Sequence, residues 1–282
     1  MNRKTAIVTG TSSGFGMYCA IELAKAGFNV VSTMRNVGRA EALLKLADEN
    51  KVSDQIFLHA LDVTSTDSIQ TFKGYIKELP NIDVLVNNAG FALGGFSEEL
   101  SINEYRLQFE TNVFGVMAVT QSVLPFMRKN KRGRIINMSS ISGKFGFPGL
   151  SPYTASKHAL EGYSESLRLE LRPFGIDVVL IEPGSYQTNI WSSIDNLTID
   201  SQSPYSFYMD ALLKNMESSK AGHGNPIDVA KLVTKLAIST KTPKLRYPIG
   251  KGVRLTLWLK SILPWKILER LITMRLVGNK KR

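Results

Sequence analysis

The sequence predicts an α/β protein, a single domain in which helices cover both faces of a doubly wound parallel sheet. Strand-like and helix-like segments alternate along most of the chain. The strand-like runs are continuously apolar, which is typical of parallel strands buried on both faces. A glycine-rich turn joins the first strand to the first helix. No internal repeat or Gly/Ser-rich linker divides the 282 residues.

The predicted elements follow one another in a regular order. Strands are predicted in KTAIVTG, FNVVSTM, QIFLHALDV, IDVLVNNAG, GRIINMSS and IDVVLIEPG. Apolar residues recur at helical spacing between them, and helices are predicted over 14–26, through RAEALLKLADEN, and near 66–78, 103–130 and 152–172. Crossovers between parallel strands are right-handed, so this order gives a doubly wound sheet.

The net charge of +11 comes from one end of the chain. Residues 241–282 contain twelve Lys or Arg and a single acid, Glu269, so residues 1–240 are neutral in sum. A basic tail without base-stacking aromatic residues in the body does not indicate a nucleic-acid partner. We therefore expect none.

Other features point to a cytoplasmic protein. Cys19 is the only cysteine, so an internal disulfide is excluded. The first strand-like run begins at Thr5, which leaves no room for a signal peptide. No uncharged apolar stretch reaches the roughly 18–20 residues that a membrane span needs. No His, Cys and Asp spacing suggests a metal site, so none is expected.

The turn IVTGTSSGFGMYCA predicts a phosphate-binding site. Gly10 ends the first strand, and Gly14 and Gly16 open the helix. Glycine lets the backbone turn tightly and approach a phosphate, and the helix N-terminus offers free N–H groups to a pyrophosphate. Ser12 and Ser13 add hydroxyl donors. A glycine-rich turn without a ligand is the alternative.

The end of the second strand favours NADP(H) over NAD(H). An NAD site usually places an acidic residue there for the ribose 2′-hydroxyl. This chain has Thr33 and Met34, followed by Arg35. A guanidinium suits a 2′-phosphate, which a carboxylate would repel. NAD(H), with Arg35 as an ordinary surface cation, is the alternative.

A third group of residues predicts acid–base chemistry. Tyr153 and Lys157 are four residues apart at the start of a helix and therefore share one face. A nearby ammonium favours the phenolate, so we expect the pKa of Tyr153 to be lowered. Ser140 follows the fifth strand and can donate a hydrogen bond to a carbonyl oxygen at the same place.

Taken in this order, the motifs resemble those of the short-chain dehydrogenases/reductases over about residues 3–190. The matching segments are TGTSSGFG, NNAG at 87–90, TNVFG with Asn112, YTASK, and PGSYQT at 183–188. The resemblance implies a Rossmann-type sheet of about seven strands and an NAD(P)-dependent oxidoreductase. It also implies homodimers or homotetramers formed through helices such as 103–130 and 152–172.

The resemblance further implies a role for each matching residue. Tyr153 would be the general acid/base, Lys157 would bind the nicotinamide ribose, Ser140 would orient the substrate carbonyl and Asn112 would hold a water in a proton relay. Together with the glycine turn and Arg35, the expected cofactor contacts are Gly10, Ser12, Ser13, Gly14, Phe15, Gly16, Arg35, Asp62, Val63, Asn88, Ala89, Gly90, Tyr153, Lys157, Pro183, Gly184 and Thr188.

Substrate selection is expected to come from 189–225, an insertion that follows the sixth strand. Trp191 in this insertion, together with Phe145, is expected to line an apolar pocket beside Ser140 and Tyr153. Further aromatic and apolar candidates in the insertion are Tyr205, Phe207, Tyr208 and Met209. Such a pocket suits a hydrophobic ketone, aldehyde or alcohol that is steroid-, retinoid- or lipid-like. Aromatic residues that only pack a lid are the alternative.

The catalytic domain is expected to span 1–252, followed by a basic amphipathic tail over 253–282. From Pro264 onward, polar residues fall on one arc of a helix and apolar residues on most of the remainder. Such a helix can lie on an anionic membrane, which would give peripheral membrane contact. It can equally dock on the domain or on a partner subunit.

A non-catalytic NADP(H)-sensing regulator on the same fold is the alternative function. Loss of the tyrosine or the lysine would mark such a protein, and both Tyr153 and Lys157 are present. The sequence therefore favours an NADP(H)-preferring enzyme that interconverts a carbonyl and an alcohol.

Overall fold

The computed structural model describes residues 3–188, 190, 202–219 and 222–277. A parallel sheet of seven strands forms its centre, in the order β3-β2-β1-β4-β5-β6-β7. The strands are β1 (Thr5–Thr9), β2 (Asn29–Met34), β3 (Ile56–Ala60), β4 (Val84–Asn87), β5 (Gly133–Met138), β6 (Ile176–Pro183) and β7 (Arg246–Ile249). The predicted fold class is confirmed.

Helices pack on both faces of this sheet. They are α1 (Gly14–Lys25), α2 (Glu41–Glu49), α3 (Thr66–Lys77), α4 (Ile102–Phe109), α5 (Gly115–Lys129), α6 (Ser151–Leu171), α7 (Ser206–Ser219), α8 (Pro226–Ile238), α9 (Val253–Ile262) and α10 (Trp265–Val277). One π-helical turn, Glu110–Phe114, joins α4 to α5. Within the described residues, no helix is long and apolar enough to cross a membrane.

Two hydrophobic cores lie on opposite faces of the sheet. In β1, Ala6 and Val8 enter one core and Ile7 enters the other, because successive strand residues point to opposite faces. Helices α1, α2 and α8 close the first core, and α3, α5 and α6 close the second. Burial on both faces is the reason for the continuous apolar runs in the sequence.

The edge strand β7 is the one strand whose position the sequence pattern did not indicate. It has four residues, all only partly buried, and contains Pro248. A proline is tolerated there because an edge strand needs fewer ladder hydrogen bonds. The weak pattern therefore reflects its place at the sheet edge beside β6.

The strand order determines where a ligand can bind. Strand β1 has β2 on one side and β4 on the other, so the connections after β1 and β4 run in opposite directions. In open α/β sheets, ligands bind in the crevice that this divergence leaves at the carboxyl ends of the strands. The glycine turn after β1 and the NNAG segment after β4 both lie at this crevice.

Candidate active site

The glycine turn has a backbone that other residues would strain or block. Gly10 and Gly14 have φ of 70° and 58°, in the left-handed region. A Cβ atom at Gly10 would lie 2.8 Å from the Ala89 Cα atom. A Cβ at Gly16 would overlap the Gly10 carbonyl oxygen and the Asn88 side-chain nitrogen. The spacing of the three glycines therefore follows from close packing between the two loops.

The N-terminus of α1 is suited to bind phosphate. Its N-cap residue, Ser13, makes no side-chain capping hydrogen bond, and the first turn has no acidic residue. By contrast, Ser65 caps α3, and Ser101 with Glu104 forms a capping box on α4. The first amides of α1 thus keep their N–H groups and positive dipole end for an anion, so these residues fit a pyrophosphate.

Asn88 joins the loop after β4 to the end of β1. Its Nδ2 atom donates to the carbonyl oxygens of Thr9 and Gly10 over 2.9 and 3.0 Å. The backbone N–H groups of Asn88 and Ala89 both donate to Thr9 Oγ1 over 2.9 Å. Asn88 of the NNAG segment therefore holds the glycine turn in place through these hydrogen bonds. The sequence motif alone did not specify them.

The residues expected to contact the adenosine end lie after β2 and β3. Arg35 is exposed and directly follows β2. Asp62 follows β3, and its Oδ1 atom accepts hydrogen bonds from Thr64 N and Thr64 Oγ1 over 2.9 and 2.8 Å. Val63 is buried and would contact a Cβ at Gly115. Because β2 and β3 are neighbours, Arg35 and Asp62 lie on the same part of the sheet edge.

Ser140, Tyr153 and Lys157 meet at the carboxyl end of β5. The Ser140 hydroxyl is hydrogen-bonded to the Tyr153 side chain and accepts a 3.1 Å bond from Ser142 N. Lys157 Nζ lies 5.6 Å from the centre of the Tyr153 ring and donates to the Met138 carbonyl oxygen over 2.8 Å. The three predicted residues are therefore brought together, and all three are buried.

Burial is the main cause of the pKa shifts of Tyr153 and Lys157. It raises the pKa of Tyr153 to about 12, and the hydrogen bond from Ser140 opposes this only in part. It lowers the pKa of Lys157 to about 8, opposed by the negative charge of Glu161. The expected lowering of the Tyr153 pKa is thus wrong for the protein's own residues, because desolvation by burial outweighs the hydrogen bond from Ser140. Tyr153 is a protonated phenol at neutral pH, which can donate a proton.

Asn112 lies in the π-helical turn and holds the loop after β4 against α6. Its Oδ1 atom accepts from Phe91 N over 3.2 Å, and its Nδ2 atom donates to Phe91 O over 3.0 Å and to Ser156 Oγ over 3.2 Å. Ser156 in turn donates to the Tyr153 carbonyl oxygen over 2.7 Å. π-Helical turns within α-helices frequently mark functional sites. Ser156 was not predicted, because a single buried serine in a helix has no distinguishing sequence pattern.

One cleft brings together the predicted catalytic residues Ser140, Tyr153 and Lys157 and part of the predicted cofactor site. Its lining includes Phe15, Asn88, Gly90, Ser140, Tyr153, Lys157, Pro183, Gly184 and Thr188, together with Met138, Ser139, Tyr186 and Ile190. Thr188 also faces the glycine turn, since a Cβ at Gly14 would lie 3.5 Å from it. Within the described residues, no group of three or more His, Cys, Asp or Glu is placed to hold a metal ion.

Trp191 and Phe145 are the two residues that were expected to line an apolar pocket beside Ser140 and Tyr153. Trp191 lies outside the described residues. Phe145 is buried beside Phe147, with ring centroids 5.2 Å apart, and Lys260 Nζ lies 5.7 Å from its ring centre. It lies in the segment between Ser140 and Tyr153 and is not among the lining residues of the cleft.

Aromatic side chains attach α7 to the loop after β4. The Phe96 ring stacks on Tyr205 and Tyr208, with centroids 4.5 and 5.5 Å apart. Tyr205 also donates a 2.7 Å hydrogen bond to Glu98. Phe207 is exposed. In the described part of the insertion, Tyr205 and Tyr208 therefore pack against the loop after β4, and neither is among the lining residues of the cleft.

A buried group of charges lies directly behind the cleft. Glu161 accepts hydrogen bonds from Ser139 Oγ over 2.6 Å and from Arg246 Nε over 2.8 Å. Lys144 Nζ lies 3.2 Å from the same carboxylate. Glu182 is buried, and its Oε1 atom lies 3.3 Å from Arg246 Nε. Burial and the charge of Glu161 raise the pKa of Glu182 to about 7.

This raised pKa predicts a stability that depends on pH. The folded protein holds a proton on Glu182 between the ordinary carboxyl value of 4.5 and about 7, whereas the unfolded chain releases it. The free energy of unfolding therefore falls as pH rises through this window, by roughly 1.4 kcal/mol per pH unit at most. Glu182→Gln should remove this pH dependence. Urea titrations should therefore show that the unfolding free energy of the variant minus that of wild type increases between about pH 5 and pH 7. A difference that stays constant with pH would contradict the raised pKa of Glu182.

Comparison with known proteins agrees with this geometry. The family model for short chain dehydrogenases matches residues 4–197, more than half of the chain. The chain belongs to the short-chain dehydrogenase/reductase family. Its motifs, seven-stranded parallel sheet and Ser–Tyr–Lys arrangement are those expected of an NAD(P)-dependent oxidoreductase of that family.

Individual relatives cover nearly the whole chain. The uncharacterized oxidoreductase YusZ of Bacillus subtilis is 50% identical over 98% of this chain and 99% of its own. The 3-ketodihydrosphingosine reductase of Bacteroides thetaiotaomicron is 35% identical over 90% of each chain. A crystal structure of an actinorhodin polyketide ketoreductase variant with NADPH is 30% identical, covering 89% of this chain and 97% of its own, with a TM-score of 0.75.

Proposed function

We propose that this protein is an NADP(H)-preferring oxidoreductase that interconverts a carbonyl and an alcohol on a hydrophobic small molecule. The observation that carries the proposal is the buried contact between the Ser140 hydroxyl and the Tyr153 phenol beside Lys157. The arrangement gives one oxygen of a substrate a proton donor and a second hydrogen-bond donor. The nicotinamide ring, when bound, supplies or accepts the hydride.

In the reductive direction, Tyr153 donates its proton to the forming alkoxide oxygen. Its raised pKa keeps the phenol protonated until that strongly basic oxygen develops. Ser140 accepts a bond from Ser142 N with its oxygen, and its O–H, which is bonded to the Tyr153 side chain here, would donate to the same substrate oxygen once a carbonyl compound is bound. In the oxidative direction, the same groups work in reverse and Tyr153 accepts the proton.

Lys157 supports this proton transfer in two ways. Its ammonium near the ring stabilises the phenolate that remains after proton donation. An ammonium has three donors, and one of them bonds to the Met138 carbonyl oxygen. A remaining donor would bind the ribose hydroxyls of the nicotinamide half.

The preference for NADP(H) rests on Arg35. It is exposed at the end of β2, and no carboxylate occupies that strand end. The related ketoreductase structure with NADPH also supports use of this cofactor. NAD(H) is the alternative cofactor.

Arg35→Ala should weaken NADPH binding by roughly 10- to 150-fold, because a charge-assisted hydrogen bond contributes about 1.5–3 kcal/mol. Binding of NADH, which has no 2′-phosphate, should change little. Fluorescence titration with both cofactors measures this difference. Lys45→Ala, at another cation of the adjoining helix α2, is the matched control. An equal loss for NADPH and NADH would contradict a role in 2′-phosphate recognition.

The proposed substrate class is hydrophobic, in the range of steroid-, retinoid- and lipid-like ketones, aldehydes and alcohols. Support comes from the similarity to a 3-ketodihydrosphingosine reductase and from the aromatic side chains Phe96, Tyr205 and Tyr208, which stack together between the loop after β4 and the insertion after β6. A panel of such compounds, assayed by nicotinamide absorbance with NADPH and NADH, tests the proposal, with Tyr153→Phe as the blank.

A homodimer or homotetramer is the proposed assembly. The helices that the family uses for association carry exposed apolar side chains, namely Leu107 on α4, Phe114 in the π-helical turn and Leu169 on α6. Light scattering of the purified chain tests this assembly. A monomeric mass would overturn it.

The alternative function is an NADP(H)-sensing regulator on the same fold. It predicts tight NADPH binding with no turnover of any compound. The presence of both Tyr153 and Lys157, held in contact, favours the enzyme instead.

A further inference from the structure

The helix α9 presents an apolar stripe to solvent. Leu255, Trp258 and Ile262 recur at helical spacing and are 59%, 57% and 53% exposed. The opposite side of α9 is turned inward, since Lys260 reaches the Lys144 carbonyl oxygen and the Phe145 ring. Trp265, at the start of α10, extends the exposed apolar surface and is 58% exposed.

The helix α10 carries a second exposed stripe, although it packs against the protein. Leu268 on its inner side is buried, and the helix contacts α7. On its outer side Ile267, Leu271 and Met274 are exposed at spacings of four and three residues. Seven large apolar side chains on two consecutive helices thus face away from the described part of the protein. Isolated exposed apolar residues are common, whereas two such stripes on consecutive helices point to an interaction site.

Positive charge borders both stripes. Arg254 lies beside the first stripe, and Lys266 and Arg270 lie on the arc of α10 next to the second; all three are exposed. The chain from 241 to 282 contains twelve basic residues and the single acid Glu269. In a two-fold contact between copies the same surface meets itself, so this patch would place cations against cations. The charge therefore disfavours a second copy and favours an anionic occupant.

We propose that α9 and α10 form a docking surface for an anionic phospholipid membrane, on which the protein lies peripherally. The apolar stripes would enter the boundary between headgroups and acyl chains, with Trp258 and Trp265 at the depth that tryptophan prefers. Arg254, Lys266 and Arg270 would meet the lipid phosphates. The contact of α10 with α7 places this surface next to the helix of the insertion after β6.

Sedimentation of the full-length protein with lipid vesicles tests the proposal. We expect binding to vesicles of equal parts phosphatidylglycerol and phosphatidylcholine, and little binding to pure phosphatidylcholine. Raising the ionic strength from about 0.1 M to about 1 M shortens the Debye length from roughly 10 Å to roughly 3 Å and should release the protein. If the protein does not sediment with anionic vesicles, the proposal is overturned.

Two variants separate the apolar and the charged contributions. Trp258→Glu with Trp265→Glu should abolish vesicle binding, whereas Leu44→Glu, at an exposed leucine on α2, should not alter it. Lys266→Gln with Arg270→Gln should weaken binding roughly 20-fold, since each charge near the surface contributes about fivefold. The substituted residues are exposed, and thermal unfolding checks that each variant is folded.

Light scattering of the same variants tests whether a second copy of the chain covers this surface. If the two tryptophan substitutions lower the mass of the assembly in solution and leave vesicle binding unchanged, the surface joins copies of the chain and the membrane proposal is wrong. If they abolish vesicle binding at constant mass, the surface binds the membrane. Because neither readout involves turnover, this outcome does not depend on the proposed enzymatic function.

Discussion

A Tyr153→Phe variant should lose about 10²–10⁴-fold in kcat, the contribution that a positioned general acid makes to a reaction of this kind. The substitution removes one hydroxyl and leaves a ring that is 2% exposed in the same packing. The fold and the NADPH affinity should therefore be retained, because the ring and Lys157 stay in place. Steady-state turnover together with NADPH fluorescence titration gives both quantities.

Tyr163→Phe is the matched control for this substitution. Tyr163 lies on the same helix, α6, is partly buried and hydrogen-bonds with Thr120, but does not line the cleft. Its loss should cost about 1 kcal/mol of unfolding free energy and leave kcat within about twofold. If Tyr153→Phe retained more than about a tenth of wild-type kcat, Tyr153 would not be the proton donor.

Gly16→Ala should abolish measurable NADPH binding and lower the unfolding free energy by roughly 1–3 kcal/mol, the range for an added methyl in a packed region. The new methyl group would overlap the Gly10 carbonyl oxygen and the Asn88 amide. Both belong to the hydrogen-bonded junction between the turn after β1 and the loop after β4. Relief requires these loops to separate, which moves the first amides of α1 away from a pyrophosphate.

Gly74→Ala is the control for Gly16→Ala, and we expect it to stabilise the protein. Gly74 is in helix α3, is exposed, and has no atom within 4 Å of a built Cβ. Alanine is favoured over glycine within a helix, so this variant should gain about 0.5–1 kcal/mol of stability and bind NADPH as wild type does. NADPH binding by Gly16→Ala at wild-type affinity would show that the glycine does not shape the cofactor site.

Sequence pattern was sufficient for the elements that are buried on both sides. Strands such as β1 and β6 are continuously apolar, and their predicted positions agree with the structure to within a few residues. Pattern failed for β7 because an edge strand of four partly buried residues has no such signal. It also failed for the π-helical turn, since one extra residue per turn leaves the apolar spacing of a long helix nearly unchanged.

The candidate site could be found from sequence, but its electrostatics could not. The spacing of Tyr153 and Lys157 on a helix was enough to place them together. For the protein's own residues the Tyr153 pKa is raised rather than lowered, because its shift depends on how deeply the phenol is buried, and burial is set by the whole fold. Glu161 lies in α6 and Glu182 in β6, the next strand of the chain, and their coupling depends on how the strand packs against the helix, which the sequence does not give.

The most direct test is the change in nicotinamide absorbance when NADPH-bound enzyme meets a panel of apolar ketones and aldehydes, with wild type and Tyr153→Phe compared. We predict NADPH oxidation by wild type with at least one compound, and loss of that activity by about 10²–10⁴-fold in the variant. Tight NADPH binding without oxidation by any compound, or equal oxidation by both proteins, would contradict a Tyr153-dependent carbonyl reductase.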